Sequence, residues 1–230
     1  MNLSINEEFI DRIITELQNL EREFQAHKAL LLTEDDLKCH VFKRIHSFIP
    51  DNSQTIDSGI SGSALHSEVK FFDEDGKLTL VPDLTIISPS NISIYHSVEF
   101  RITNKGPKYG PLPSKSFEIG GDAIIIELKF CRAHVGILES DIVSYQNDLD
   151  KIKRLQTLVT NRSSGRDKLF GIIVVFNKTD IGKPLFEGFQ DRNAEESRIR
   201  IFYGSGLVDF SNSNHYPLGE GFITQRHSWQ

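Results

Sequence analysis

The sequence predicts an α/β fold: a central mixed β-sheet flanked by helices. Two observations carry that expectation. Residues 123–130 (AIIIELKF) and 169–176 (LFGIIVVF) are of strand length and apolar on nearly every position, the pattern of strands covered on both faces. Segments of helical periodicity precede, separate and alternate with such runs, and alternation of that kind builds a sheet with helices on its faces. At 230 residues the chain has the size of one domain. We therefore expect a single domain over 1–230, with a helical arm at 1–31 and an insertion at 88–121 between core strands.

Taken in order, residues 6–31 place Phe9, Ile13, Ile14, Leu17, Leu20 and Phe24 on one side of an amphipathic helix, with acids and amides opposite. Its apolar stripe suits either packing across the core or a dimer or partner surface. A second helix starts after Thr33, whose hydroxyl can cap it while Asp36 completes a capping box. Glu34, Asp35 and Asp36 favour the positive end of that helix, Leu37, Val41, Phe42 and Ile45 form its buried stripe, and Pro50 ends it. Residues 51–63 read as a loop. Residues 65–72 and 78–87 read as a strand pair joined by a turn at 73–77, where Gly76 can take a positive φ. The 88–121 stretch is rich in Pro and Gly, with a short strand or helix at 94–102. After the central strand at 123–130, a helix over 138–158 repeats Ile142, Tyr145, Leu149 and Ile152. A loop at 161–165, the buried strand at 169–176, a shorter strand at 198–203 and a turn at Gly204-Ser205-Gly206 complete the series.

The net charge of -6 argues against an openly basic nucleic-acid-binding surface, but the charges are unevenly distributed. Acids crowd the first 36 residues. Arg101, Lys105, Lys108 and Lys115 form one basic stretch, and Lys151, Lys153, Arg154, Arg162, Arg166 and Lys168 another. Either can be solvated surface or a set of phosphate contacts. The two cysteines, Cys39 and Cys131, make no disulfide framework and read as buried thiols in a reducing compartment. With no basic-then-apolar leader and no bilayer-length apolar run, the expectation is a cytoplasmic protein with no membrane association.

Glu127 and Lys129 stand two apart in an apolar strand, so both side chains leave the same face. Charges there are costly unless paired or bound to something. Asp83 interrupts a second apolar run just after Pro82, which lacks a backbone donor and suits a strand's start or a kink. Two carboxylates converging at strand ends supply hard oxygen ligands for Mg²⁺ or Mn²⁺, and a nearby ammonium can orient or deprotonate water. A structural Glu–Lys ion pair with Asp83 capping a turn is the plainer alternative.

Pro82-Asp83 followed by Glu127-Leu128-Lys129 resembles the PD-(D/E)xK nuclease superfamily, whose fold is the restriction-endonuclease-like one. The likeness spans about residues 30–176. It implies a Mg²⁺-dependent endonuclease, with Mn²⁺ as a substitute, that hydrolyses DNA in a restriction, defence or repair role. RNA stays open as a substrate, and a homodimer or a partner protein is expected. The resemblance assigns Asp83 and Glu127 as metal ligands, Lys129 as the water-positioning group, and Glu34 on the preceding helix as a further catalytic acid and metal ligand. Glu34 also fits independently, three and seven residues before Leu37 and Val41. On the helix after the central strand, Asp141, Tyr145, Gln146 and Asp148 are candidates for support, Gln146 foremost. The interval of 44 residues between Asp83 and Glu127 departs from a compact family core and holds the first basic stretch. Arg101, Lys105, Lys108, Lys115, Lys153 and Arg154 are the expected nucleic-acid contacts. His66 and Glu68, sharing a strand face, are candidate support residues, although a hydrogen-bonded His–Glu pair explains them as simply.

Other chemistries leave no trace. The glycine-rich Gly59-Ile60-Ser61-Gly62-Ser63 lacks the Lys-Ser/Thr of a phosphate-binding loop, and neither HExxH nor GxSxG occurs. A catalytically inactive nucleic-acid-binding or assembly subunit of the same fold is the alternative reading.

Overall fold

In the computed structural model, residues 3–50, 52–56, 59–72, 78–92, 99–103, 106–110 and 121–210 are described. The chain begins with α1 (Glu7–Ala26) and α2 (Glu34–His46), then the short strands β1 (Ser53–Gln54), β2 (Ser61–Gly62), β3 (Leu65–Ser67), β4 (Phe71–Phe72), β5 (Leu78–Leu80) and β6 (Leu84–Ile87). A single helical turn (Pro89–Asn91), β7 (Glu99–Thr103) and β8 (Gly106–Gly110) follow. The chain continues through β9 (Ala123–Cys131), α3 (Glu139–Arg162), β10 (Leu169–Asn177), α4 (Lys183–Arg192) and β11 (Ile199–Ser205).

These elements form a mixed α/β structure around a five-stranded sheet of order β11-β10-β9-β6-β3. β9, β10 and β11 run parallel, connected through α3 and α4, while β6 is antiparallel to both β9 and β3. Side chains alternate across the sheet and divide the core in two. Ile124, Ile126, Leu128, Ile172, Val174 and Phe176 pack with α1 and α2. Ile125, Ile173 and Val175 pack with α3 and α4. Helices therefore cover both faces, which explains why β9 and β10 are apolar throughout.

α1 spends its stripe on that core: Ile13, Leu20 and Phe24 are fully buried, each contributing about 1.5–3 kcal/mol relative to exposure. It ends at Ala26, short of the residue 31 that periodicity suggests; Leu31 is buried beyond the helix. At α2 the capping box is present. The Thr33 hydroxyl accepts from the Asp36 N–H, and the Asp36 carboxylate accepts from the Thr33 N–H.

The strands near β3 and β6 are shorter and more broken than the sequence pattern suggests. The expected strand at 65–72 divides into β3 and β4, with Glu68 at a φ of 54° between them. The expected strand at 78–87 divides into β5 and β6 around Val81-Pro82-Asp83. Within the insertion, β7 and β8 form a hairpin, while 93–98 lies outside the described residues, as does the turn at 73–77.

α3 runs on to Arg162, past the expected end near 158. Gly204 and Ser205 belong to β11 rather than to a turn. Periodicity does not announce α4, whose sequence holds Pro184 and Gly188. Pro184 sits in the first turn, where its missing N–H has no intrahelical partner to lose. Gly182 enters the helix at a φ of 81°, pressed against the Ile137 backbone, and the fully buried Phe186 and Phe189 hold α4 down. Cys39 is exposed and Cys131 half-buried, so neither is the buried thiol expected from its neighbours. Among the described residues no helix is long and apolar enough to cross a membrane.

Candidate active site at an open strand edge

β6 pairs with β9 only over Leu84↔Ile126 to Ile87↔Ala123, whereas β9 runs on to Cys131. Beyond Ile126 the edge of β9 facing β6 has lost its ladder, and its donors need other acceptors. Two carboxylates provide them. The Leu128 N–H donates to Asp83 Oδ2 at 2.9 Å, and the Phe130 N–H donates to Glu34 Oε2 at 3.1 Å. Asp83 arrives there because β6 begins only after Pro82. Glu34 arrives as the first residue of α2, in a turn fixed by the Thr33 capping box. One strand edge thus gathers acids separated by 49 residues in the chain.

Glu127 and Lys129 project from this same length of β9 toward α3, opposite Leu128 and Phe130. Glu127 is only 5% exposed, and its Oε1 has no hydrogen-bond partner among the described residues. Burial, reinforced by the neighbouring Asp83 carboxylate and opposed by Lys129, pushes the Glu127 carboxyl up to about 8. Lys129 Nζ lies 3.1 Å from Asp148 Oδ2 and 3.9 Å from Glu127 Oε2. Burial pulls the Lys129 ammonium down, but the Asp148 charge and hydrogen bond outweigh it and leave it above its ordinary value. Burial likewise raises Asp148, and its bonds to Lys151, 2.8 Å away, and Lys129 bring it below the usual carboxylate range.

Of two further members of this cluster, the sequence pattern misses one, Lys38, and ranks the other, Asp148, behind Gln146. Lys38, four residues after Glu34, lies 3.5 Å from Asp83 Oδ1 and 3.3 Å from Glu68 Oε1. Burial lowers its ammonium, but Asp83 and Glu68 more than compensate. Its spacing from Glu34 puts both on one side of α2, which is a legible signal. Asp148 is the other, an acid inside the stripe formed by Tyr145, Leu149 and Ile152, all of them buried with it.

The remaining candidates are dispersed. Gln146, foremost among the α3 candidates, points away: its amide bonds to Asp150 and Asn193, so Asp148 takes the place expected of it. Asp141 is a helix cap, accepting from the Leu138 N–H. His66 lies one strand farther out, opposite Thr85, and burial holds its imidazole below the usual range. Glu68 joins the cluster through Lys38, and its N–H donates to the Asp83 carbonyl at 3.3 Å.

Arg101 and Lys108 are register partners in the β7–β8 hairpin, while Lys105 and Lys115 lie outside the described residues. Lys153 is not an open phosphate contact, because it is paired with Glu196 at 2.7 Å and reaches Asn193. Arg154 lies on α3 beyond the stretch that carries Asp148. A cavity of about 470 Å³ runs along the free edge of β11, lined by Glu21, Gln25, Asp180, Lys183 and Tyr203 among others. None of the β9 carboxylates lines it.

Among the described residues no group of three or more His, Cys, Asp or Glu is already arranged as a metal site. Asp83 and Glu34 are turned onto backbone donors and Lys38, whereas Glu127 Oε1 is a buried carboxylate oxygen with no hydrogen-bond partner among the described residues. Compared with protein-family models, with curated proteins and with solved structures, the chain matches none.

Proposed function

We propose that this chain is a restriction-endonuclease-like nuclease that hydrolyses DNA phosphodiester bonds with a bound divalent ion, Mg²⁺ or Mn²⁺. The observation that carries this reading is the convergence of Asp83, from the break between β5 and β6, and Glu127, from β9, at one open edge, where Glu127 keeps a buried oxygen without a partner among the described residues. An orphaned buried carboxylate is destabilising, and a hard cation is the ligand that relieves it. Charge supports the same conclusion. Glu34, Glu68, Asp83, Glu127 and Asp148 outnumber Lys38, Lys129 and Lys151 by two, and a proton held on the buried Glu127 offsets only one of those charges, which favours a cation at the notch.

Asp83 and Glu127 would hold the ion, with Glu34 supporting it or a second one. The bound ion supplies Lewis acidity and a more acidic water. Lys129 orients the attacking water and offsets charge developing on the phosphate. Lys38, 3.5 Å from Asp83 Oδ1, stands where the ion would otherwise draw on that oxygen.

The test is incubation of the purified protein with plasmid DNA and with RNA, in Mg²⁺, Mn²⁺ or EDTA. Cleavage should require the divalent ion. Asp83→Ala and Lys129→Ala should each lower it by about a thousandfold or more while the circular dichroism spectrum stays native. Wild-type rates in both variants would overturn the assignment.

A second reading draws on the engagement of Asp83 and Glu34 by the chain's own donors: a binding or assembly subunit in which these acids form an ion network. Calorimetry separates the two, since only the nuclease reading predicts Mg²⁺ binding that vanishes in Asp83→Ala.

A further inference from the structure

Lys129 has two carboxylates within reach, and the structure shows which one holds it. Asp148 Oδ2 is at 3.1 Å and Glu127 Oε2 at 3.9 Å, beyond a direct hydrogen bond. Asp148 is 8% exposed and is itself tied down by Lys151 at 2.8 Å. Its backbone belongs to the middle of α3, the longest helix described, so the anchor is rigid. Glu127 sits on the adjoining strand with its Oε1 unpartnered. An ammonium released from Asp148 has one near alternative, which is to close onto Glu127.

From this geometry we infer that Asp148 is a positioning residue: it draws Lys129 off Glu127 and so keeps the Glu127 carboxylate open to a divalent ion. The inference rests on the metal-site reading above and deepens it. In effect, Asp148 competes with Glu127 for one ammonium. If Lys129 instead paired directly with Glu127, the strongest oxygen ligand of the notch would be neutralised by the chain's own cation. The residue is not catalytic, because it acts only through Lys129.

Divalent-ion affinity in a double-mutant cycle tests this without recourse to activity. Mn²⁺ binding is measured by calorimetry for the wild type, Asp148→Asn, Lys129→Met and the double variant. Asp148→Asn should weaken Mn²⁺ binding by about tenfold, while in the Lys129→Met background the same substitution should change it less than about twofold. Simple electrostatic attraction of the ion by Asp148, or a merely structural role, would give equal losses in both backgrounds and overturn the inference. Asp148→Glu, which keeps the charge, should retain most of the affinity.

A crystal structure of metal-free Asp148→Asn provides the second readout. Lys129 Nζ should move to within hydrogen-bond distance of Glu127, and an unmoved Lys129 also overturns the inference. Should Asp148→Asn not fold, Lys151→Met supplies the opposite perturbation: with its rival cation gone, Asp148 should hold Lys129 at least as closely as in the wild type, and a Lys129 that moves onto Glu127 in that variant overturns the inference. Wild-type protein that binds no divalent ion would sink the nuclease reading, and the metal-free structures would still decide what Asp148 does to Lys129.

Discussion

The two halves of β9 share a backbone, a neighbour in β10 and a covering helix, yet they carry opposite chemistry. Ala123 to Ile126 are laddered on both sides, to β10 and to β6, and every side chain is buried and apolar. From Glu127 onward β10 still pairs but β6 has stopped, and Glu127, Lys129, Asp83 and Glu34 collect there. The difference lies in hydrogen-bond satisfaction as well as in depth, since Lys129, Phe130 and Cys131 are only half-buried. Glu127 is as buried as many core residues, but one edge of its strand is free for polar partners. A place where a sheet loses one ladder while keeping its cover supplies donors, low dielectric and room together. Those are the conditions in which charged side chains interact strongly.

The largest effect should come from the laddered half. Ile126 is fully buried and packs against α1 and α2, so Ile126→Ala should cost about 2–5 kcal/mol, read from urea denaturation. A loss below about 1 kcal/mol would mean that this half is no better packed than the open one, and the contrast would fail.

The open half should respond with the opposite sign. Glu127 titrates near 4.5 when unfolded and about 8 when folded, so between those values the native state holds a proton that the unfolded state has released. Its contribution to stability is therefore full below 4.5, falls as pH rises through the interval, and levels off above about 8. Glu127→Gln keeps the size and removes the titration. It should match the wild type in acid and become the more stable protein toward pH 8, by an amount on the order of a few kcal/mol. Saturating Mg²⁺ should shrink that advantage, since the ion stabilises the ionised wild type and finds a poorer ligand in Gln. A difference that does not vary with pH would show Glu127 to be charged and paired in the native state.

How much of this contrast the sequence holds follows from where the information resides. The apolar runs of β9 and β10 and the stripes of α1, α2 and α3 are local, and they are legible. The end of β6 is not local. It is set by Pro82 together with the position at which β3 and β9 accept a partner, so strands expected to be continuous are cut at Glu68 and at Val81-Pro82-Asp83. α4 is hidden because Gly182, Pro184 and Gly188 read as breakers, although Pro184 occupies a position where a helix tolerates it.

At the site, Asp83, Glu127, Lys129 and Glu34 interrupt or flank apolar patterns and are visible for that reason. Asp148 interrupts one just as clearly. The choice of Gln146 over it follows polarity and resemblance rather than the helix face, and the two residues are about 200° apart around an α-helix. Lys38 shows only as a partner at helical spacing from Glu34. Its pairing with Asp83 requires knowing that the two elements meet.

Lys38 gives the smallest effect and the sharpest use of the comparison. It bridges Asp83 and Glu68 from α2, and its side chain is 19% exposed, so the pair is partly screened. Lys38→Met keeps the aliphatic stem and removes the charge. Stability at neutral pH should fall by no more than about 1 kcal/mol, because Asp83 retains the Leu128 N–H and water can reach the rest. Divalent-ion affinity should rise, however, because an ammonium no longer competes for Asp83 Oδ1. Loss of stability with gain of affinity is the signature of a cation standing in a cation's place. If the same substitution lowers affinity, Lys38 serves to orient Asp83 for the ion instead, and the open edge is assembled by its lysines as much as by its acids.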